Sequence, residues 1–227
     1  AKGVAAELPS LVSLYKHFHA NPELSFMEAE TAKRLAAELR EAGLTVSTGI
    51  GGHGLVGVLK NGDGPTLLIR ADMDGLPVRE ETGLPHASTK QMADDLGNTV
   101  YTMHACGHDA HTTMLLGAAK HLAKTRDFAG TAVLIFQPAE EGLGGARAMI
   151  KEGLFDRFPC DEVYGMHNSP NGQLGTFGIC KGVAMAGASF FDITIQGKGS
   201  HAAMPQQSRD PLVIASALVG SMQTILS

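Results

Sequence analysis

The sequence predicts an α/β fold in which a layered, mostly parallel sheet carries helices on both faces, followed by the beginning of a second, α+β domain. Segments of strand and helix character alternate between residues 66 and 167, which is the order typical of such sheets. The segment TAVLIFQ at 131–137 is a continuous apolar run, as expected of a strand covered on both faces. After about residue 187 the pattern changes, so we place the first domain at 1–187 and the start of the second at 188–227.

Two helices and two strands are predicted before the alternating region. Residues 7–19 carry apolar side chains at helical spacing. The next helix opens with Ser25 and Glu28, which have the S-x-x-E spacing of a capping box, and ends at Gly43. The segments LVGVLK and TLLIRA, joined by the turn residues NGDG, predict a β-hairpin or at least neighbouring strands.

The alternating region then adds a helix at 108–124, the strand TAVLIFQ, the short helix GGARAMIKEG and the strand DEVYGMH. In the second domain, ASFFDITIQGKG alternates apolar and polar residues as a half-buried strand does. DPLVIASALVGSMQTIL predicts an amphipathic helix with Pro211 in its first turn. Because one strand and one helix cannot close a core, we expect this domain to need further segments.

Composition excludes several classes of partner. The chain has 227 residues, a net charge of -5 and a pI near 6.0, without a basic patch for nucleic acid or an anionic membrane. It has no apolar run of the ~20 residues that span a bilayer and no signal-type start, although the missing initiator Met leaves a removed leader open. Three scattered cysteines favour a reducing compartment, so we expect a cytoplasmic protein with a small-molecule or protein partner.

Chemically reactive side chains follow the ends of several predicted strands. Open α/β sheets bind ligands at the carboxyl edge of their strands, so these side chains are expected to meet at one rim. They are Asp72 and Asp74 after TLLIRA, Cys106 and His108 after NTVYTM, Glu140 and Glu141 after TAVLIFQ, and His167 at the end of DEVYGMH.

The residue types indicate a metal centre. A thiolate and an imidazole two residues apart, Cys106 and His108, are good ligands for a divalent ion, although a lone C-x-H is more often a buried cysteine beside a capping histidine. Glu140 and Glu141 repel each other unless a cation holds them, and then one can bind the cation while the other accepts a proton from water; the alternative is a solvated pair. His167 alone would more often be a core histidine, but the set together favours a metal.

Other polar residues are less clearly assigned. His104 and His111 are candidates for orienting a ligand rather than binding the metal. Asp72 and Asp74 could orient a histidine or bridge metals, or simply cap a loop, and Asp74 is the preferred functional member. His201, in the glycine-rich turn GKGSHAAMP, is either a hydrogen-bond donor to an oxyanion or an ordinary turn residue.

Taken in order, six motifs resemble the hippurate hydrolase, N-acyl-amino-acid amidohydrolase and auxin-conjugate hydrolase group of dinuclear metallopeptidases. The resemblance runs from about residue 14 to the end of the chain. The motifs are HFHANPELSFMEAET, RADMDGLP, YTMHACGHDAHTTMLLGAAKHL, AVLIFQPAEEGLGGA, GMHN and GKGSHAAMP.

This resemblance implies a zinc-peptidase-like catalytic domain with a two-metal site and an inserted, ferredoxin-like lid domain. Asp72 stands where the wider superfamily has a ligating histidine, so it receives no metal role, and Asp74 stands where that superfamily has an orienting aspartate. The group's metal ligands match Cys106, His108, Glu141 and His167, and its general base matches Glu140. His201 matches the lid histidine that, in relatives that dimerise through this domain, reaches the neighbouring subunit's site.

The implied activity is hydrolysis of the amide bond of N-acyl amino acids by metal-activated water. Two divalent ions are expected, with zinc foremost and Mn, Co or Ni as alternatives, and a homo-oligomer formed through the lid is compatible with the resemblance. The alternatives are a hydrolase with Cys106 as nucleophile and His108 or His111 as its base, and a non-catalytic metal-binding domain. Because the group continues past the lid and supplies a further histidine ligand, we expect residues 1–227 alone to have little activity.

Overall fold

The computed structural model describes residues 2–142, 144–185, 187 and 189–225. The chain divides into two compact units, residues 1–171 and residues 172–227. The helices are α1 Lys2–Ala5, α2 Leu8–Ala20, α3 Ala29–Glu41, α4 His108–Thr125, α5 Gly145–Lys151, α6 Leu154–Arg157 and α7 Pro211–Gln223. The strands are β1 Thr45–Thr48, β2 Leu55–Asn61, β3 Thr66–Asp72, β4 Gln91–Ala93, β5 Thr99–Tyr101, β6 Gly130–Gln137 and β7 Glu162–Gly165.

The first unit is built on a five-stranded sheet with the order β1-β2-β6-β3-β7. Strands β6, β3 and β7 are parallel, whereas β2 pairs antiparallel with both β1 and β6. Four of these five strands therefore run in one direction and β2 alone runs against them. The predicted α/β fold class is confirmed.

Helices cover both faces of this sheet. The side chains of β6 point alternately to the two faces and pack against the helices on each side. Leu134 and Phe136 belong to one buried cluster, together with side chains of α2, α3 and α4. Val133 and Ile135 belong to the other, together with Met149 of α5 and residues of α6. The continuous apolar run of this strand is thus explained by burial on two sides.

The predicted β2–β3 hairpin is wrong. Strand β6 lies between β2 and β3, so that Val133 is opposite Val58 on one side and Leu68 on the other. The physical reason is that β6 is apolar on both faces and is best buried at the centre of the sheet, with a neighbour on each edge.

The predicted strand NTVYTM forms, but outside the central sheet. Its residues Thr99–Tyr101 pair only with β4, in a separate two-stranded antiparallel sheet. The sequence predicted that Cys106 and His108 follow a strand of the central sheet, and this is wrong. They lie in the loop before α4 and in its first turn. The following helix, predicted at 108–124, is confirmed as α4.

The predicted capping box is also wrong. Helix α3 begins at Ala29, and its N-cap residue Glu28 makes no capping hydrogen bond. The Ser25 hydroxyl donates instead to Asp74, and the Glu28 carboxylate accepts backbone N–H groups from Phe26 and Ala139. Ser25 and Glu28 therefore bond to other partners instead of forming the reciprocal capping bonds that their spacing predicted.

The second unit contains α7, whose N-cap Asp210 accepts a hydrogen bond from the backbone N–H of Leu212. The helix predicted there is confirmed. The strand predicted at 188–199 is wrong for the described residues, where Lys198 forms only an isolated bridge with Arg209. An alternating pattern needs a partner strand to form a ladder, and the described part of this unit offers none. The lid assignment and the boundary at 187 stay predictions.

Within the described residues, no helix is both long enough and apolar enough to cross a bilayer.

Candidate metal centre

Adjacent parallel strands deliver most of the reactive side chains to one rim of the sheet. Asp72, the last residue of β3, lies directly opposite Gln137, the last residue of β6. Glu140 and Glu141 follow β6 by three and four residues, and His167 follows β7 by two. The rim predicted from the sequence therefore exists, with α4 rather than a strand supplying His108.

His108 is fully buried at the start of α4 and holds a defined tautomer. Its Nδ1 lies 2.9 Å from the carbonyl oxygen and 3.2 Å from Oδ1 of Asp74. Since both neighbours are acceptors, Nδ1 carries a proton, and Nε2 is the ring nitrogen left to bind a cation. Nε2 is buried without a hydrogen-bond partner, and a hydrogen bond on the other ring nitrogen is the usual arrangement for a metal-binding histidine.

His167 repeats this arrangement next to Cys106. Its Nδ1 donates to the carbonyl oxygen of Asn168 at 2.7 Å, and its Nε2 lies 3.3 Å from the Cys106 sulfur. One ligand atom from each of Cys106, His108 and His167 lies within 4.8 Å of the other two. Three of the four ligands implied by the sequence resemblance are therefore grouped.

The paired glutamates complete the cluster from the turn after β6. Glu141 Oε1 lies 3.7 Å from His108 Nε2, and Glu140 Oε2 lies 3.8 Å from it. Glu141 Oε1 is buried and has no hydrogen-bond partner. The Glu141 side chain is 17% exposed and that of Glu140 is 36% exposed, so the two neighbouring carboxylates face different environments.

These atoms fit a divalent cation. Two buried atoms without a hydrogen-bond partner, His108 Nε2 and Glu141 Oε1, carry a desolvation cost that a bound cation would offset. Burial, followed by the charge of Glu141, raises the pKa of the Cys106 thiol to about 12. A cation coordinated by the sulfur reverses this effect, because coordination deprotonates a thiol. Nitrogen, sulfur and oxygen donors together suit zinc and its first-row neighbours.

Asp72 and His111 hold each other at the edge of the cluster. Asp72 Oδ1 lies 2.7 Å from His111 Nδ1, and its Oδ2 accepts from Arg70 at 2.7 Å. Burial alone would raise the pKa of Asp72, but the hydrogen bond from His111 and the positive charges of His108 and Arg70 lower it to about 2. The other His111 nitrogen contacts Asn168. Asp72, His108 and His111 also lie close enough to share an ion, but both oxygens of Asp72 already have partners.

Asp74 connects three segments of the site. Besides its contact with His108, it accepts hydrogen bonds on Oδ2 from the Ser25 hydroxyl at 2.7 Å and from the Glu141 backbone N–H at 3.0 Å. Burial alone would raise its pKa, but these hydrogen bonds lower it, so Asp74 is an anion at neutral pH. This geometry supports the expectation that Asp74 orients a histidine.

Two further candidate histidines are His104, in the first unit, and His201, in the second. His104 is buried with an unpartnered Nδ1, and burial lowers its pKa to about 4, so it is neutral. His201 belongs to the second unit; there its Nδ1 accepts from the Ala203 backbone N–H at 3.1 Å, which leaves the proton on Nε2. That tautomer can donate a hydrogen bond, and the role of His201 stays a prediction.

Residues 68–226 match the model of peptidase family M20/M25/M40, a span of well over half the chain. The chain belongs to this peptidase family.

Individual relatives agree with this family assignment. The chain is 45% identical to the hippurate hydrolase of Campylobacter jejuni over 97% of its own length and 57% of that protein. It is 40% identical to IAA-amino acid hydrolase ILR1-like 4 of Arabidopsis thaliana, over 96% of the chain and 47% of that protein. It thus spans about half the length of these relatives, and the family resemblance inferred from the motifs is confirmed.

A solved structure extends the similarity to the fold. The YXEP protein of Bacillus subtilis, described as a dinuclear metal-binding peptidase from the M20 family, is 37% identical and superposes with a TM-score of 0.65. The match covers 74% of this chain and 44% of that one. A structural relative of this M20/M25/M40 chain is thus described as binding two metal ions.

Several residues that shape this M20/M25/M40 site were not predicted to do so. Asn168 contacts both His111 and His167, and its side chain lies where a Cβ on Gly107 would come within 2.7 Å of it. Gly107 has φ 85° and cannot be replaced without strain. Glu28, the residue just before α3, accepts a hydrogen bond from the Ala139 backbone N–H and so supports the turn that carries Glu140 and Glu141. Only Asn168, three residues beyond the end of β7 in the motif GMHN, had a local signal.

A cavity of about 180 Å³ adjoins Glu141, and part of its lining comes from Asp94 and Asp95 in the turn between β4 and β5. Its apolar wall comes from Leu24, Met27, Leu76 and Pro77. The cavity is therefore apolar on one wall and acidic on another, with a candidate metal-binding carboxylate among its lining residues.

Proposed function

We propose that this protein is a metal-dependent amidohydrolase that cleaves the amide bond of N-acyl amino acids. The observation that carries the proposal is the pair of neighbouring glutamates beside His108. One has a buried, unpartnered oxygen suited to a cation, and the other is more exposed and within reach of the same centre. A hydrolytic site needs this division between a ligand and a general base.

Cys106, His108, Glu141 and His167 would hold the metal ions in this proposal. Divalent ions bound there supply Lewis acidity, which polarises the substrate carbonyl and makes water easier to deprotonate. A thiolate with two imidazoles favours zinc among the candidates, and the carboxylate also suits manganese, cobalt or nickel. The hippurate hydrolase and IAA-amino acid hydrolase similarity supports N-acyl amino acids as the substrate class.

The chain's own residues move the protons. Glu140 accepts a proton from the attacking water and delivers it to the amine nitrogen as the C–N bond breaks, giving a carboxylic acid and a free amino acid. Asp74 keeps the His108 proton on Nδ1. His201, with its proton on Nε2, donates to the oxyanion that develops on the substrate carbonyl.

The cavity beside Glu141 is the proposed acyl-group site. Its apolar wall suits an alkyl or aryl acyl chain. Asp94 is an anion, since its pKa is lowered by hydrogen bonds from Asn98, so the carboxylate of the amino-acid half is repelled from this cavity. The amino-acid half then points away from the cavity, towards groups that recognise its carboxylate.

A cysteine-nucleophile mechanism is less compatible with the site. Without a cation, burial and Glu141 raise the pKa of the Cys106 thiol to about 12, so the reactive thiolate is scarce at neutral pH. That mechanism also gives no role to the unpartnered atoms of His108 and Glu141.

The deciding experiment uses Glu140→Gln in the full-length protein. Removing the proton acceptor should lower kcat on N-benzoyl- or N-acetyl-amino acids by about 10²- to 10⁴-fold, while the metal content of the purified protein stays that of the parent. Chelation should abolish parental activity, and added zinc or manganese should restore it. The matched control is Glu81→Gln, an exposed glutamate. Activity that persists in Glu140→Gln, or that is indifferent to chelators, would contradict the proposal.

A further inference from the structure

Two residues with left-handed backbone conformations are held by one oxygen atom. Phe26 has φ 60° and Ala139 has φ 49°, values that cost energy for residues other than glycine. Their backbone N–H groups both donate to Glu28 Oε1, at 2.9 Å and 2.8 Å. The residues are 113 positions apart in the chain, so this oxygen joins two distant strained turns.

Glu28 itself is in an unfavourable environment for a carboxylate. It is 0% exposed, and its Oε2 has no hydrogen-bond partner in the described structure. Burial raises its pKa to about 7, although hydrogen bonds from the backbone N–H groups of Ala139, Glu28 itself and Phe26 oppose this effect. A buried acid with one unsatisfied oxygen is costly to keep, so a local capping role does not account for it, and it makes no capping bond.

Ala139 immediately precedes the two glutamates of the candidate site. Its carbonyl oxygen accepts from Gly145 N–H at 3.0 Å, which closes the turn, and a Cβ at Gly145 would lie only 1.7 Å from the Pro138 oxygen. Glu28 therefore holds the start of a tight turn whose next two residues are Glu140 and Glu141.

The same short segment also holds Asp74. Ser25 Oγ and Glu141 N both donate to Asp74 Oδ2. Segment 25–28 thus binds Asp74 at one end and Ala139 at the other, and these two residues fix the orientation of His108 and of the glutamate turn. A rigid arrangement of this kind is what a metal ligand and a general base require.

We propose that Glu28 is a positioning residue, which fixes the left-handed turn at Ala139 and thereby sets where Glu140 and Glu141 stand relative to His108. This inference rests on the proposed function for the roles of the two glutamates. Glu28 acts through Ala139 and does not touch the reacting atoms.

The test compares Glu28→Ala, Glu28→Gln and Glu28→Ala/Ala139→Gly in the full-length protein. Glutamine keeps an acceptor oxygen for both N–H groups, so it should retain metal affinity and kcat within about threefold. Alanine removes the acceptor and should weaken zinc affinity and lower kcat by about 10- to 100-fold each, with KM changed by less than about threefold. Glycine tolerates positive φ, so Ala139→Gly should recover at least threefold of the loss in the alanine variant.

Zinc affinity is measured by competition with a chromophoric chelator, a readout that does not depend on turnover. Glu30→Ala is the matched control, because Glu30 lies two residues away with its side chain 74% exposed. Folded Glu28→Ala with parental zinc affinity and kcat would overturn the inference, and so would Glu28→Gln that falls as far as Glu28→Ala. If Glu28→Ala does not fold, Glu28→Gln decides, and a zinc affinity or kcat more than about threefold below that of the parent would overturn the inference. Should the parent hydrolyse no N-acyl amino acid, the proposed function fails, and the zinc affinities still test the positioning role.

Discussion

Replacing Asp74 with asparagine tests the hydrogen-bond network that orients the candidate site. The Asp74 carboxylate is 1% exposed and receives His108 Nδ1–H on Oδ1 and two donors, Ser25 Oγ and Glu141 N, on Oδ2. Asparagine has nearly the same shape but replaces one acceptor oxygen with an NH₂ donor. The substitution therefore changes hydrogen bonding and charge with little change in volume.

The new NH₂ group opposes two donors, Ser25 Oγ and Glu141 N, in one orientation and one donor, His108 Nδ1–H, in the other. If the NH₂ group takes the place of Oδ2, the Ser25 hydroxyl can rotate to accept from it, but the Glu141 backbone N–H loses its acceptor. If it faces His108, the ring still has the Asp74 carbonyl at 2.9 Å, so this orientation costs less. Loss of one hydrogen bond to a charged group is worth about 1.5–3 kcal/mol, which corresponds to a loss of about 10- to 100-fold in affinity.

We therefore expect Asp74→Asn to bind zinc about 10- to 100-fold more weakly than the parent and to lose kcat in proportion. Zinc affinity is measured by chelator competition and turnover with N-benzoyl-amino acids. Asp63→Asn makes the same chemical change at an exposed turn residue before β3 and should alter neither quantity. A folded Asp74→Asn protein with zinc affinity and kcat within about threefold of the parent would refute the reasoning.

Two further predictions concern the cavity and the buried acid. Met27→Trp should narrow the cavity beside Glu141, lowering kcat/KM for N-benzoyl substrates at least tenfold while leaving N-acetyl substrates within about threefold; equal losses for both acyl groups would remove the cavity from the acyl-binding role. The pKa of Glu28 is about 7 in the folded protein, raised from 4.5. Between pH 4.5 and pH 7 the native state therefore keeps a proton on Glu28 that the unfolded chain has released. The free energy of unfolding therefore falls as pH rises from about 4.5 to 7, by at most about 3 kcal/mol. In chemical denaturation of the metal-free protein, Glu28→Gln should gain stability relative to the parent between pH 5 and pH 8, and a constant difference would contradict this.

The local pattern of the sequence was enough to predict several elements. Helix α4 and strand β6 are set by spacing and continuous apolarity within single segments, so neither needed knowledge of the rest of the chain. The candidate site residues were also recognisable, because Cys106, His108, Glu140, Glu141 and His167 are residue types that bind cations and lie near element ends. The parallel direction of β6 and β7, which the α/β pattern predicted, brings Glu140, Glu141 and His167 to one rim, whereas Cys106 and His108 come from the start of α4.

Tertiary structure decided which distant segments pair and which distant side chains bond, neither of which follows from residue spacing. The insertion of β6 between β2 and β3 depends on a pairing between distant segments, and a short turn such as NGDG looks the same whether or not its strands pair. Ser25 and Glu28 have the spacing of a capping box, yet Asp74 and Ala139 are their partners. A side chain chooses among all donors and acceptors that folding brings within about 3 Å, and the sequence alone determines only which of them are close along the chain.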